Sequence, residues 1–300
     1  EDDGANAARD GSKQPINRNI ISKVPAWAIG LGPSRKLDTS AFAALQKLHH
    51  TITTQSPKSS WSGSPTDPRQ RAFGFLPDTL GYDSQIREKL DISMPWRAAE
   101  GENNTEKKSE CAASNAKDTA KNEEDEERRR NEQAMVILEN IPEGAKEAIE
   151  DLCGMFRDDL KQSADTTHLA DFLCYKNLIA AQPNLHNGRE LLPMHFDHPL
   201  KDGFGVVIVT ISMQGSGKIL LQDSDGENRL AMPLQAGEAY MISNQARDTC
   251  VHGVLTDVGQ DHRQSLNLRF GLHDVSIGDN SAVVSASEVL EHWEAPSAPS

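Results

Sequence analysis

The residues best suited to chemistry lie in the second half of the chain. His195-Phe196-Asp197 sets an imidazole and a carboxylate two positions apart. In an extended strand such residues share a face, so both can point together into a barrel mouth. Nitrogen and oxygen donors of this kind suit divalent iron, and two histidines with one carboxylate leave coordination positions open. His252 offers a second imidazole, in the alternating segment Thr249-Cys250-Val251-His252-Gly253-Val254. His198, His262 and His273 are rival ligands that sit less well inside an alternating segment. Taken singly, His252 reads better as a core histidine bonded to backbone, and a His-x-Asp match arises readily by chance.

Arg263 and Arg269 lie six apart in Arg263-Gln264-Ser265-Leu266-Asn267-Leu268-Arg269. In a strand both face one side with Ser265 and Asn267, while Leu266, Leu268 and Phe270 take the other. If the polar side faces inward, two buried guanidinium groups need anions to pair with them. A dicarboxylate ligand and a metal-bound carboxylate would serve, through bidentate contacts. The alternative is an edge strand whose polar face is solvated.

These residues require strands to position them. From Leu191 onward the hydrophobic period is alternating, with candidate strands at Leu191–Asp197, Val206–Met213, Lys218–Gln222, Arg229–Leu234, Ala239–Ser243, Thr249–Val254 and Ser265–Leu272. Clusters such as Lys201-Asp202-Gly203, Asp223–Asn228 and Gln235–Gly237 separate them. Short strands at this spacing read as a sandwich or jelly roll rather than a parallel sheet. Gly215-Ser216-Gly217-Lys218 has part of a phosphate loop but lacks its first glycine and carries Ile219 at the hydroxyl position, so it reads as a hairpin turn. Upstream, Ala145, Ile149, Leu152, Cys153, Phe156 and Leu160 recur at helical spacing, with Pro142 suited to the first turn. That helix buttresses the core.

The remaining organisation follows from composition. Residues 1–19 are polar or small and read as a disordered lead-in, and 20–99 hold the early aromatics of an N-terminal region. Residues 100–133 contain Glu123-Glu124-Asp125-Glu126-Glu127 followed by three arginines and read as a solvated, disordered insertion. Residues 134–275 carry the helix and strands, and 276–300 form a C-terminal tail. The net charge of −14 is uneven: residues 1–99 hold 13 Lys/Arg against 10 Asp/Glu, 100–133 hold 7 against 11, and 134–300 hold 11 against 24. Only the first third could meet a polyanion without net repulsion. No apolar run is long enough to cross a bilayer. No charged-then-apolar leader opens the stretch at Glu1, which reads as a trimmed start. Four widely spaced cysteines fit a reducing cytoplasm or nucleus rather than a disulfide scaffold.

In order and spacing, these features resemble the AlkB-like Fe(II)/2-oxoglutarate dioxygenases. The likeness runs over about 180–272, through Asn184-Leu185-His186, Gly188, His195-Phe196-Asp197, Ala239–Ser243, Ala246-Arg247, His252-Gly253-Val254 and the final arginine strand. It implies that His195, Asp197 and His252 hold iron and form the catalytic centre. It further implies that Arg263 binds the distal carboxylate of 2-oxoglutarate, with Arg269 near the metal-proximal carboxylate and Asp197. Asn184 would contact the cosubstrate, as would His186, which stands where tyrosine is usual. Ser265 replaces an asparagine found in some members, and His198-Pro199 follows Asp197 without the acidic residues by which certain nucleobase-repair members recognise their base.

Pro68-Arg69-Gln70-Arg71-Ala72-Phe73-Gly74-Phe75 looks like the family's basic-aromatic nucleotide-recognition lid. Arg69 and Arg71 would meet phosphate while Phe73 stacks on a base; the other reading is a lid that packs on the barrel without touching nucleic acid. The implied fold is mostly β with buttressing helices (α+β), a double-stranded β-helix or jelly roll with an N-terminal lid. The implied activity is hydroxylation or oxidative demethylation, with nucleic acid (RNA or DNA) the favoured substrate and no membrane partner. A protein-directed oxygenase, a cupin-like metal enzyme using no dicarboxylate and a metal-free binding module are the alternatives.

Overall fold

The computed structural model describes residues 24–56, 69–83, 135–187, 190–195, 205–257 and 262–271. Asp197, His198, His273, Cys111, the 1–19 lead-in, the 100–133 insertion and the 276–300 tail lie outside the described residues, as does the Lys201-Asp202-Gly203 turn.

The described chain is mostly β with a few helices. Twelve strands run in order: β1 (Leu31–Lys36), β2 (Arg69–Arg71), β3 (Phe73–Phe75), β4 (Met135–Ile137), β5 (Leu178–Asn187), β6 (Glu190–His195), β7 (Val207–Gln214), β8 (Gly217–Gln222), β9 (Arg229–Leu234), β10 (Glu238–Ser243), β11 (Val251–Thr256) and β12 (His262–Phe270). The larger sheet has the order β1-β10-β7-β12-β5-β3-β4, with β2 also paired to β5; the smaller is β6-β11-β8-β9. Strands β5 to β12 pass repeatedly from one sheet to the other, the order of a double-sheet jelly roll.

Alternation divides each central strand between two environments. Val207, Val209, Ile211 and Met213 of β7 and Leu266, Leu268 and Phe270 of β12 belong to a core that includes Leu45, Leu48, Ile52, Ile149, Leu152 and Phe156. Those six come from helices α1 (Thr39–Gln55) and α2 (Ala145–Leu160), which cover the outer face of the larger sheet. Ile208, Tyr240 and Ile242, pointing the other way, meet Ile219, Leu221, Met232 and Leu234 of the smaller sheet in a second core. β12 is therefore central, between β5 and β7, and not the edge strand its polar residues could suggest.

The helix expected from the 3.6-residue period is α2, and it buries all six of the apolar positions that defined it. Pro142 precedes the helix instead of occupying its first turn; its carbonyl accepts from Ala145 N–H, and Gly144 caps the helix at φ 77°. α1 starts at Asp38, whose carboxylate accepts from the backbone N–H groups of Ser40 and Ala41, both at 2.8 Å. Gly74 permits α1 to approach β3, since a Cβ there would lie 2.4 Å from Ile52 Cδ1.

One sequence expectation needs correction. Gly215-Ser216 does not close a hairpin: β7 and β8 belong to different sheets, and the chain crosses between them at Gly215 (φ 79°). The described part of the Pro68–Phe75 segment is not separate from the barrel. β2 and β3 are strands of the larger sheet, adding to β5. They break at Ala72, whose N–H reaches the carbonyl of Pro183 at 3.3 Å. In an antiparallel ladder a residue's N–H and C=O point to the same neighbour, so Pro183 lacks its donor where that ladder is interrupted. Pro193 and Pro233 are on β6 and β9, the two edges of the smaller sheet, where a missing donor costs least.

Candidate functional site

His252 lies on β11 directly opposite His195 on β6. Their ring centroids are 4.5 Å apart with planes inclined by 48°. On the other side of β11, His252 pairs with Leu221 and Val254 with Ile219, both members of the core between the sheets. Register thus puts both imidazoles on the inner face. His252 is buried and His195 half-buried. Among the described residues no group of three His, Cys, Asp or Glu could hold a metal; Asp197, the third expected ligand, lies outside them. His262, a rival, is exposed at the start of β12.

The facing inner surface of the larger sheet is polar. Across β5 and β12, Arg263 pairs with His186, Ser265 with Asn184, Asn267 with Gln182 and Arg269 with Ala180. β7 extends two of these rows with Ser212 beside Ser265 and Thr210 beside Asn267. Asn184 Nδ2 donates to Ser265 Oγ at 3.4 Å and to the Gln182 carbonyl at 3.1 Å, and Gln182 Nε2 donates to Asn184 Oδ1 at 3.2 Å. Arg269 Nε donates to Gln182 Oε1 at 2.8 Å. That bond draws the guanidinium of Arg269 back along the strand toward Arg263. The two arginines start roughly 20 Å apart at ~3.3 Å per residue, so this lean narrows the gap between their heads.

Arg263 is 1% exposed, and its Nε and Nη2 have no hydrogen-bond partner among the described residues. Burial pushes this guanidinium below the ordinary arginine value, while the nearby Tyr240 hydroxyl acts in the opposite direction. Ser212 Oγ and Asn267 Oδ1 are likewise buried without partners among the described residues. A buried guanidinium with two unused donor nitrogens, on a floor of hydroxyls and amides, is a socket for a carboxylate. With the imidazole pair of the facing sheet, these donor types suit a divalent metal and a dicarboxylate.

Two of the lid candidates, Arg71 and Phe73, are buried. Arg71 is 7% exposed and pairs with Asn184; Arg69 pairs with His186. Phe73, 6% exposed, packs with Phe75, Ile179 and Ala180. Phe73 therefore packs into a core, as in the alternative the sequence left open for this segment.

Gln182, Thr210, Ser212 and Tyr240 belong to the polar face but were not singled out from the sequence. The signal was available for three of them. Gln182 extends the period-two series Asn184, His186 backward, and Thr210 and Ser212 alternate with apolar residues in β7. Tyr240 had no such mark, since it also belongs to the apolar core between the sheets.

No protein-family model matches the chain, and no curated protein matches it. Solved structures give low-scoring similarities. OsALKBH1 is 18% identical at a TM-score of 0.32, covering 43% of this chain and 66% of its own. A Shewanella oneidensis protein provisionally assigned as an oxygenase is 11% identical at 0.37, covering 89% and 90%. Oxalate decarboxylase is 18% identical at 0.27, covering 39% and 27%. The chain thus spans less than two thirds of the first and third. With every TM-score below 0.5, these likenesses assign neither family nor activity.

Proposed function

We propose that this chain is an Fe(II)- and 2-oxoglutarate-dependent dioxygenase, a hydroxylase or oxidative demethylase. The observation that carries the reading is the buried Arg263, with two unused donor nitrogens, on a polar face opposite the sheet that bears the His195–His252 pair. In this reading His195, Asp197 and His252 hold the iron. Bound iron would supply oxidation of a substrate C–H bond by dioxygen, coupled to conversion of 2-oxoglutarate to succinate and carbon dioxide; a hydroxylated N-methyl group then leaves as formaldehyde.

The protein's own residues do the binding and orienting. Arg263 takes the distal carboxylate in bidentate contact. Arg269, steadied by Gln182, takes the proximal end together with Asn184. His186 lies beside Arg263 in register and closes the distal end. The apolar residues between the sheets, Ile208, Ile219, Leu221 and Ile242, exclude water from one side of the site and strengthen these charge contacts.

Nucleic acid, RNA or DNA, is the proposed substrate, on the resemblance and the positive balance of residues 1–99. A protein substrate is the second reading, favoured by the burial of Phe73, which withdraws the ring that would stack on a base. Incubation with iron, ascorbate and 2-oxoglutarate tests the activity: iron-dependent succinate is expected, whereas a binding module yields none and a cupin-like enzyme binds metal without consuming 2-oxoglutarate. Crosslinking to labelled RNA and DNA tests the substrate; capture of neither turns the reading toward protein.

A further inference from the structure

Ser212 is 1% exposed, and its hydroxyl has no hydrogen-bond partner among the described residues. A buried hydroxyl in that state carries a desolvation cost that an alanine would avoid. Its position in the sheet shows what could meet it.

Ser212 of β7 lies directly opposite Ser265 of β12, and Arg263 stands two residues before Ser265 on the same face. Strand spacing and rise put the Ser212 and Arg263 Cα atoms roughly 8 Å apart, within reach of an arginine side chain. On its other flank β7 pairs with β10, where Tyr240 lies opposite Thr210, two residues from Ser212. Ser212 is thus the middle position of a diagonal that runs from Arg263 to Tyr240. The Tyr240 hydroxyl acts on the Arg263 guanidinium, in keeping with a side chain that extends along this diagonal over Ser212. Beyond Ser212, β7 offers no other inner donor: Met213 belongs to the outer core, Gln214 is exposed, and Gly215 has no side chain. Glu238 of β10, just before the Ala239–Ile211 pair, has its Oε2 accepting from Gln235 N–H at 2.8 Å.

Nε and Nη2 of Arg263, the two nitrogens without partners among the described residues, lie on one edge of the guanidinium and form a fork for a carboxylate. Each carboxylate oxygen keeps a lone pair after that contact, and a hydroxyl on the same face can donate to it.

We infer that Ser212 is a specificity-determining residue of the cosubstrate site, its hydroxyl donating to the distal carboxylate held in the Arg263 fork. This rests on the dioxygenase reading above and deepens it with a neutral donor that distinguishes a dicarboxylate from a monocarboxylate.

Titration calorimetry on the full chain tests it, with Mn(II) in place of iron and without oxygen, so that nothing turns over. The ligands are 2-oxoglutarate and 2-oxopentanoate, which lacks the distal carboxylate. The wild type is expected to prefer 2-oxoglutarate. Ser212→Ala should weaken 2-oxoglutarate by about ten- to hundredfold, the worth of a hydrogen bond to a charged group, and leave 2-oxopentanoate unchanged. Ser212→Cys, close in size but a weak donor, should repeat that selective loss, and it serves if Ser212→Ala fails to fold. Equal loss for both ligands overturns the inference, because it marks a scaffold role. A wild-type preference abolished by Arg263→Gln but intact in Ser212→Ala also overturns it, while the dioxygenase reading stands. If the wild type itself shows no preference between the ligands, the dioxygenase reading fails and takes this inference with it.

Discussion

Asn184 is held between two strands: Ser265 of β12 faces it on one side, within 3.4 Å of its amide, and Arg71 of β2 faces it on the other. This row ties the first third of the chain to the last strand of the barrel, and the charged residues on either side of it are buried with it.

Arg263→Met should separate stability from binding. The wild-type guanidinium is buried with two nitrogens unused, a state that costs free energy until an anion arrives. An apolar side chain of similar length should leave the ligand-free protein as stable or more stable by about 1–4 kcal/mol. Stabilisation by added 2-oxoglutarate should vanish. Thermal melts with and without the ligand check both halves; a destabilised variant that still responds to 2-oxoglutarate would refute the anion site.

His49 should make stability fall in acid. It is buried on α1, and burial, with a smaller contribution from His50, lowers its pKa to about 4. Its Nε2 has no partner among the described residues. The unfolded imidazole titrates near the ordinary value of ~6.5, so between about pH 6.5 and 4 the unfolded state holds more protons than the folded one. Stability due to this group is full above that window and declines as pH falls through it, by about 3 kcal/mol in all. Denaturant melts between pH 7 and 4 should show the decline, and His49→Leu should flatten it.

Gly74→Val should destabilise through Ile52. The added Cβ would meet Ile52 Cδ1 at 2.4 Å, and overpacking of this kind costs about 1–3 kcal/mol. Ile52→Ala in the same chain should recover part of that loss. Strict additivity of the two changes in a double-mutant cycle would show that the contact is not the cause.

The parts of this fold that were legible share one property: each buries a single periodic face. α2 showed its stripe from Ala145 to Leu160, and β6 to β12 showed alternation broken by Gly, Asp and Asn. β5 was hidden because Ala180, Ala181 and Pro183 weaken its strand character, although it is the neighbour that orders both β12 and β2. α1 was missed because Thr51-Ile52-Thr53-Thr54 favours strand, and tertiary packing of Leu45, Leu48 and Ile52 overrides that preference. β2, β3 and β4, three residues each, have too little length for a period. At the site, alternation gave the facing of His195, His252, Arg263 and Arg269. The pairing of His195 with His252, and of Arg71 with Asn184, depends on register between distant strands, which no local pattern encodes.

Equilibrium dialysis against Fe(II) without oxygen, on the wild type, His195→Ala and His252→Ala, tests the metal centre most directly. The expected result is a single iron per wild-type chain and its loss, by roughly 100-fold or more in affinity, in each variant. Iron retained undiminished by His252→Ala would contradict it.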